Sequence, residues 1–169
     1  MQKKKNGVII IKKARLQMTR AEKAKQFFEQ GYACSQAVAL AFADMAGLNE
    51  EQIAKATLPF GGGLGRLRLT CGAVSGMAFV YGLVCAGSEN THENKMKTYE
   101  GTRELCARFE AETGSLICAD LLKANELTPQ VGGEAERRTP EYYKKRPCAE
   151  LVYLATEILE NYLKEIGSL

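Results

Sequence analysis

Twenty consecutive residues, 69–88, carry no charged side chain. This run is long enough to span a membrane as a helix. However, it contains Thr70, Ser75, Tyr81 and four glycines, and no basic cluster flanks it on one side only. We therefore interpret it as a central helix buried inside a globular domain. The rest of the chain must then supply apolar faces that cover this helix.

The segments on either side of this run have helical rather than strand patterns. Thr19 can cap a first helix that Gly31 ends, and Asn49 with Gln52 has the spacing of a capping box. Pro140 after a threonine predicts one short turn of helix. Apolar residues at helical spacing predict further helices over 33–46, 49–57, 70–88, 89–112, 115–126 and 147–166. The sequence therefore predicts an all-α fold, a single compact bundle of about six to seven helices around a central apolar, glycine-containing helix.

The formal net charge of +3 is unevenly distributed along the 169 residues. Residues 1–20 hold seven cations and no acid, whereas residues 21–169 hold 16 cations and 20 acids. We expect residues 1–18 to form a basic extension and residues 19–169 to form one helical domain, which matches the usual size of a domain. An apolar run at 8–11 could form a short strand against a second copy of the chain, so a homodimer is compatible with the sequence.

Composition also narrows the partners and the compartment. No aromatic residue lies among the cations of the extension, so a stacking platform for nucleic acid bases is lacking, and we expect no nucleic acid partner. We expect no membrane partner either. The apolar run of the extension is too short for a secretory signal, which favours a cytoplasmic, reducing location. Disulfides formed there are typically catalytic or regulatory.

Six cysteines stand out in a chain whose length alone can support a core. No two of them are close enough to form a Cys-x-x-Cys pair, so the spacings of zinc fingers and thioredoxins are absent. Four of the six follow predicted breaks or caps and therefore fall at helix starts: Cys34, Cys71, Cys118 and Cys148. Unpaired backbone N–H groups and the helix dipole stabilise a thiolate at such positions.

Nearby cations strengthen this interpretation for two of the four. Arg66 and Arg68 precede Cys71, and a Lys-Lys-Arg run at 144–146 precedes Cys148. A positive charge close to a thiol favours its deprotonated form. We therefore take Cys34, Cys71, Cys118 and Cys148 as the candidate catalytic residues, with Cys71 as the first candidate nucleophile.

The two remaining cysteines, Cys85 and Cys106, fall within predicted helices, and we expect them to pack in the core. Cys85 lies fourteen residues after Cys71. That separation is about 21 Å along a straight helix, so these two could not form a disulfide with each other.

A glycine-rich segment, 61–65, precedes the central helix. Neither the strand nor the Lys-Ser or Lys-Thr pair of a phosphate-binding loop accompanies it. We expect its glycines to permit positive φ angles and close approach of the backbone. Gly72 and Gly76, four residues apart, would let another helix pack close to the central one. The single histidine, His92, lies among polar residues, and we expect it to be exposed.

The cysteine motifs resemble those of a known family. The segments that carry the resemblance are Gly-Tyr-Ala-Cys-Ser-Gln-Ala-Val at 31–38, Phe-Gly-Gly-Gly-Leu-Gly at 60–65, Thr-Cys-Gly-Ala-Val-Ser-Gly at 70–76, Ile-Cys-Ala-Asp-Leu at 117–121 and Pro-Cys-Ala-Glu-Leu-Val at 147–152. They are similar to the motifs of the C_GCAxxG_C_C family, and the resemblance covers about residues 20–165. It implies a small bacterial or archaeal all-helical protein that is redox-active, with no settled substrate. Its pattern includes the four helix-start cysteines and leaves out Cys85 and Cys106. Relatives often carry glycine where this chain has Arg68.

Three functional hypotheses remain open from the sequence. In the first, the chain is a thiol–disulfide redox protein, a possible thiol-based oxidoreductase, in which one cysteine thiolate attacks an unknown redox partner and another of the four resolves the intermediate. In the second, the four cysteines hold zinc or an iron–sulfur cluster. In the third, the cysteines are inert and the helices bind a partner. The cofactor therefore stays open between none, zinc and an iron–sulfur cluster.

Overall fold

A computed structural model of the chain describes residues 18–169. The predicted strand at 8–11 and most of the basic extension lie outside the described residues. Eight α-helices follow one another within the described range: α1 (Arg20–Glu29), α2 (Cys34–Leu40), α3 (Glu50–Thr57), α4 (Gly72–Cys85), α5 (His92–Thr113), α6 (Cys118–Lys123), α7 (Pro140–Lys145) and α8 (Cys148–Glu165). A short 3-10 helix, Leu58–Phe60, follows α3.

The all-α prediction is confirmed, and α4 is the central helix. It packs against α2, α5 and α8, while α8 also lies along α1. Met77, Val80 and Val74 of α4 are almost fully buried in the common core. Burial of each such side chain stabilises the fold by about 1.5–3 kcal/mol. Of the helices in the described residues, none combines the length and the apolar character that a membrane crossing requires.

Several predicted helix ends are confirmed by their capping contacts. The Thr19 side chain accepts a hydrogen bond from the Glu22 backbone, and the Glu22 carboxylate accepts one from the Thr19 backbone. Asn49 and Gln52 form the same reciprocal pair at α3. Such caps typically contribute about 1 kcal/mol each. Gly114 ends α5 in the left-handed conformation, with φ of 79°.

Other predicted bounds were wrong. The second helix ends at Leu40, and a series of turns replaces its predicted continuation to residue 46. Thr70 does not cap the central helix, because its backbone pairs with Ile117 in an isolated antiparallel bridge. Cys71 is the N-cap residue instead, and α4 ends at Cys85, three residues before the uncharged run does. The helix predicted over 115–126 begins only at Cys118 for the same reason, since Ile117 is held extended in the bridge, and it ends at Lys123.

The buried face of α8 also differs from the predicted one. Helical spacing in the sequence predicts that Leu151, Leu154, Ala155, Ile158 and Tyr162 are the buried residues of this helix. The fully buried residues are Val152, Ala155, Thr156, Leu159 and Leu163, and the others of the predicted set are half-buried. The stripe is shifted because α8 contacts α1, α2, α4 and α5 at once, so its covered face is set by four neighbours.

Helices α2 and α4 cross at very short range, as the glycine spacing predicted. A Cβ atom at Gly76 would lie 2.7 Å from the backbone oxygen of Ser35. A Cβ atom at Gly72 would lie 3.0 Å from the backbone oxygen of Phe60 and 3.3 Å from the Cβ of Cys34. Only glycine permits this approach, and the approach brings the starts of α2 and α4 together.

Candidate functional site

The four helix-start cysteines line one cavity of about 380 Å³. Cys34 and Cys148 are the first residues of α2 and α8, Cys118 is the first residue of α6, and Cys71 is the N-cap of α4. Cys71 and Cys118 are buried, whereas Cys34 and Cys148 are half-buried. The cavity has the size of a small-molecule site.

Cys34 is held in place by the two polar residues that follow it. The Ser35 hydroxyl donates to the Thr57 carbonyl at 2.7 Å, and the Gln36 amide donates to the Ala54 carbonyl at 2.8 Å. The Gln36 side-chain oxygen also accepts from the Ala33 backbone at 2.8 Å. Ser35 and Gln36 are both buried. These bonds fasten the first turn of α2 to α3 and fix the direction of the Cys34 side chain.

Cys71 and Cys118 are brought together by the antiparallel bridge described above. The Cys71 N–H donates to the Leu116 carbonyl at 2.8 Å, and the Cys118 N–H donates to the Leu69 carbonyl at 2.7 Å. The glycine-rich segment passes directly over Cys118. A Cβ atom at Gly63, where φ is 71°, would lie 2.7 Å from the Cβ of Cys118 and 2.9 Å from the Leu69 backbone. Glycine is required there by both the conformation and the space.

Cys148 is the cysteine of the four whose pKa is lowered. A hydrogen bond from the Cys34 thiol, together with the positive charges of Arg146 and Arg138, outweighs burial and lowers the pKa of Cys148 to about 7. The same contact, with burial, raises the pKa of Cys34 well above its usual value. As the pH rises through about 7, the first proton that the pair loses therefore comes from Cys148, while Cys34 stays protonated.

Cys71 and Cys118 lie in surroundings that favour the protonated thiol. Burial raises the pKa of Cys71 to about 12, although the backbone N–H groups of Ala73 and Val74 oppose this shift. Burial also raises the pKa of Cys118, against the opposing effect of Arg68. The position at a helix start therefore does not make Cys71 a thiolate, because the desolvation of its sulfur is the larger effect. These surroundings favour Cys148 over Cys71 as the first nucleophile.

The arginines of the cavity differ in part from those the sequence singled out. Arg68 lies beside Cys118 rather than Cys71, with 3.9 Å between its Nη1 and the Cys118 sulfur. Arg146 does neighbour Cys148 as expected. Lys144 and Lys145 are exposed and do not line the cavity, because they lie on the outer side of the short helix α7.

Sequence reasoning missed Arg138 and Tyr142. The Arg138 guanidinium lies 4.6 Å from the ring centres of both Phe28 and Tyr142. The Arg146 guanidinium lies 4.8 Å from the Tyr142 ring centre. Burial raises the pKa of Tyr142 to about 12, so the ring beside these two cations stays neutral. No sequence signal distinguishes Arg138 from Arg137 beside it, because both lie in a polar loop and only the fold turns one of them inward.

Arg66 and Arg68 have left-handed backbone conformations, with φ of 68° and 61°. Non-glycine residues in this region store about 1–3 kcal/mol of strain each. Their side chains offset it by binding the loop that follows α6: the Nε of Arg66 donates to the Gly132 carbonyl at 3.0 Å, and the Nε of Arg68 donates to the Gln130 carbonyl at 2.8 Å. The strained turn thus directs two guanidinium groups into the cavity wall.

Comparison with known proteins identifies the family of the chain. A family model described as "Putative redox-active protein (C_GCAxxG_C_C)" matches residues 32–162. The chain belongs to the C_GCAxxG_C_C family. No curated protein and no solved structure matches it.

All six cysteines of this C_GCAxxG_C_C protein lie within the matched residues, but only four line the cavity. Cys106 lies within α5 and packs against the core, half-buried. Cys85 is the last residue of α4 rather than a mid-helix residue, and it too is half-buried against the core. His92 is exposed at the start of α5, as predicted.

The metal hypothesis finds no matching geometry in the part of the chain that the structure describes. Within residues 18–169, no group of three or more cysteine, histidine, aspartate or glutamate side chains is arranged to hold a metal ion. All four cavity cysteines are free thiols, and Cys148 contributes to the raised pKa of each of the other three.

Proposed function

We propose that this member of a redox-active family carries out thiol–disulfide exchange, with Cys148 as the nucleophile and Cys34 as the resolving thiol. The observation that carries the proposal is that these two cysteines line one cavity and influence each other, so that the pKa of Cys148 is lowered and that of Cys34 is raised. A thiolate with a pKa near the ambient pH is the most effective attacking group in such exchange.

The first step forms a mixed disulfide. The Cys148 thiolate attacks one sulfur of a disulfide substrate, the substrate S–S bond breaks, and the other half leaves as a thiolate. Arg146 and Arg138 stabilise the attacking anion, and they also lie near enough to Cys148 to stabilise charge on the leaving sulfur. The Cys34 thiol remains protonated at this stage.

The second step releases the rest of the substrate. The Cys34 sulfur attacks the Cys148 sulfur and displaces the second half of the substrate. The proton of Cys34 goes to the sulfur of this second half, which leaves as a thiol. One substrate disulfide has then become two thiols, and the Cys34–Cys148 dithiol has become a disulfide. A dithiol partner must reduce this disulfide before another turnover, and it supplies the two electrons.

Cys71 and Cys118 form a candidate second dithiol of the same site. Both are held protonated by burial, and Cys71 is close enough to Cys34 and Cys148 to raise the pKa of one and to be affected by the other. In this proposal the Cys71–Cys118 dithiol reduces the Cys34–Cys148 disulfide by internal exchange. The disulfide then lies between Cys71 and Cys118, and Cys34 and Cys148 are thiols again.

The proposal is tested by counting thiols in a single turnover. Reduced protein, purified without oxygen, is mixed with one equivalent of 2-hydroxyethyl disulfide. We expect the loss of two protein thiols and the release of two molecules of 2-mercaptoethanol. The Cys34→Ser variant should release one molecule and keep the other as a mixed disulfide, detectable by intact mass. Cys106→Ser, which changes a cysteine outside the cavity, should behave as the unchanged protein does.

Two results would contradict the proposal. The first is the absence of any reaction with the disulfide at neutral pH. The second is stoichiometric zinc or iron in the purified protein together with four thiols that resist oxidation, which would favour the metal-binding alternative.

A further inference from the structure

The wall of the cysteine cavity is strongly cationic although the domain is acidic. Its charged side chains are four arginines and one glutamate: Arg66, Arg68, Arg138, Arg146 and Glu136. Residues 21–169 as a whole carry 16 cations and 20 acids. A quarter of the cations therefore face one cavity, and a cleft of one sign concentrates ligands of the opposite charge.

The single carboxylate of the cavity shows how an anion is held there. The Oε1 atom of Glu136 accepts a hydrogen bond from Arg146 and lies 4.0 Å from the Nη1 of Arg66. The two arginine side chains are only 11% and 17% exposed, whereas Glu136 is 43% exposed. A carboxylate that enters from solvent can thus occupy a cradle that is already built, and Glu136 is the group it would replace.

Arg138 adds a second indication that the cavity is suited to an anion. Its Nη1 is buried without a hydrogen-bond partner among the described residues, while Nη2 reaches the Tyr32 carbonyl at 3.4 Å. An unpaired buried donor costs about 1–3 kcal/mol unless a ligand or a neighbouring charge compensates for it. The guanidinium groups of Arg138 and Arg146 both lie against the Tyr142 ring, so both cations act on the same part of the cavity.

We propose that the cavity takes a small disulfide bearing carboxylate groups, one of which binds Arg66 and Arg146 in place of the Glu136 carboxylate. This inference rests on the proposed function, since it names the substrate class of the same site. The carboxylate is held by guanidinium groups that recognise it through paired hydrogen bonds. Arg146 neighbours both this carboxylate and Cys148, so the disulfide of a short substrate lies within reach of the Cys148 sulfur.

The test compares three disulfides of similar size and different charge: dithiodipropionate, which is anionic, 2-hydroxyethyl disulfide, which is neutral, and cystamine, which is cationic. Each rate with Cys148 is divided by the rate of the same disulfide with free 2-mercaptoethanol thiolate, which removes intrinsic differences in reactivity. We expect the normalised rate of the anion to exceed that of the neutral compound by about tenfold or more, and cystamine to be slowest. Equal normalised rates would overturn the anion site.

Two variants locate the site. Glu136→Gln keeps the shape of the side chain but removes the competing charge, so the ratio of anionic to neutral rate should rise by about threefold to tenfold. Arg66→Gln should lower that ratio by about tenfold. Arg103→Gln, an exposed arginine of α5 that does not line the cavity, should leave the ratio unchanged. Ratios that are the same in all three variants would contradict the assignment.

A protection experiment on the unchanged protein separates failure of this inference from failure of the proposed function. Glutarate should slow alkylation of Cys148 by neutral iodoacetamide, and sodium chloride at equal ionic strength should not. If no disulfide reacts but glutarate protects, the exchange reaction is wrong and the anion site stands. If disulfides react but glutarate gives no protection and charge has no effect, the exchange reaction stands and the anion site is wrong.

Discussion

Cys34 and Cys148 line the same cavity, and hydrogen bonding from the Cys34 thiol is the largest of the influences that lower the pKa of Cys148. The two residues are 114 positions apart in sequence, and each begins a different helix. Their contact depends on the close crossing of α2 with α4 and on the packing of α8 against both. The proposed chemistry depends on the difference in pKa between these two thiols, because Cys148 loses its proton while Cys34 keeps one.

Alkylation of Cys148 should follow a pKa of about 7 rather than the ordinary value of 9.0 for a thiol. The reactive form is the thiolate, so the rate of labelling by iodoacetamide should reach half its maximum near neutral pH. Peptide mass spectrometry identifies the labelled residue at each pH. A midpoint near pH 9 for Cys148 would contradict the assigned nucleophile.

Arg146 should be responsible for part of that shift. Its charge and its hydrogen bond both lower the pKa of Cys148. We expect Arg146→Gln to move the midpoint of alkylation upward by about one pH unit or more. Arg103→Gln serves as the matched control and should leave the midpoint where it is. If the midpoint is unchanged in Arg146→Gln, then Arg146 has no electrostatic role at Cys148.

The hydrogen bond from Cys34 can be separated from its sulfur chemistry by two substitutions at the same position. Cys34→Ser keeps a donor beside Cys148, whereas Cys34→Ala removes it. Because this bond is the largest cause of the lowered pKa, Cys34→Ala should raise the midpoint of Cys148 alkylation more than Cys34→Ser does. Equal midpoints in the two variants and in the unchanged protein would show that the bond does not control the thiolate.

The close crossing of α2 and α4 predicts opposite effects for two glycines of the same helix. A Cβ at Gly76 would meet the Ser35 backbone oxygen at 2.7 Å, whereas a Cβ at Gly82 would meet nothing within 4 Å. Gly76→Ala should therefore destabilise the fold by about 1–3 kcal/mol, since the helices must move apart. Gly82→Ala should stabilise it by up to about 1 kcal/mol through helix propensity.

Urea denaturation under reducing conditions measures both changes, and Gly82→Ala serves as the control for Gly76→Ala. A separation of α2 from α4 would also disturb Cys34, so Gly76→Ala should raise the midpoint of Cys148 alkylation. If both variants were equally stable, the proposed tight crossing would be wrong.

Alkaline pH should destabilise the protein through Cys71. Its pKa is raised from 9.0 in the unfolded chain to about 12 in the fold, so above pH 9 the unfolded state loses a proton that the folded state keeps. The free energy of unfolding should therefore fall as pH rises from 9 toward 12, by up to about 1.4 kcal/mol per pH unit from this thiol. Cys71→Ala should show a shallower decline over the same range, and parallel curves would contradict the assignment.

The sequence predicted the fold class and the four cavity cysteines because both depend on local signals. Helical spacing and capping residues such as Thr19 act within one turn, and cysteines at helix starts are visible from the breaks that precede them. The reactivity of each cysteine was not predictable in this way. Cys71 and Cys148 both begin helices, yet burial dominates at one and arginines at the other.

The pairing of the thiols and the role of Arg138 depend on contacts between distant segments. Thr70 looks like a helix cap in sequence, but pairing with Ile117 gives it an extended backbone and sets Cys71 beside Cys118. Arg138 lies in a polar loop whose sequence carries no periodic pattern. Only the packing of α7 against α1 brings it to the Phe28 ring and the cavity.

The central claim is that Cys34 and Cys148 form the working dithiol, and disulfide mapping tests it most directly. Reduced protein is oxidised with one equivalent of 2-hydroxyethyl disulfide, the remaining thiols are alkylated, and linked peptides are identified by mass spectrometry. We predict a Cys34–Cys148 disulfide as the first product, before any link that includes Cys71 or Cys118. In samples quenched at the earliest times, before internal exchange can move the disulfide, a link between other cysteines or alkylation of both Cys34 and Cys148 would contradict the account.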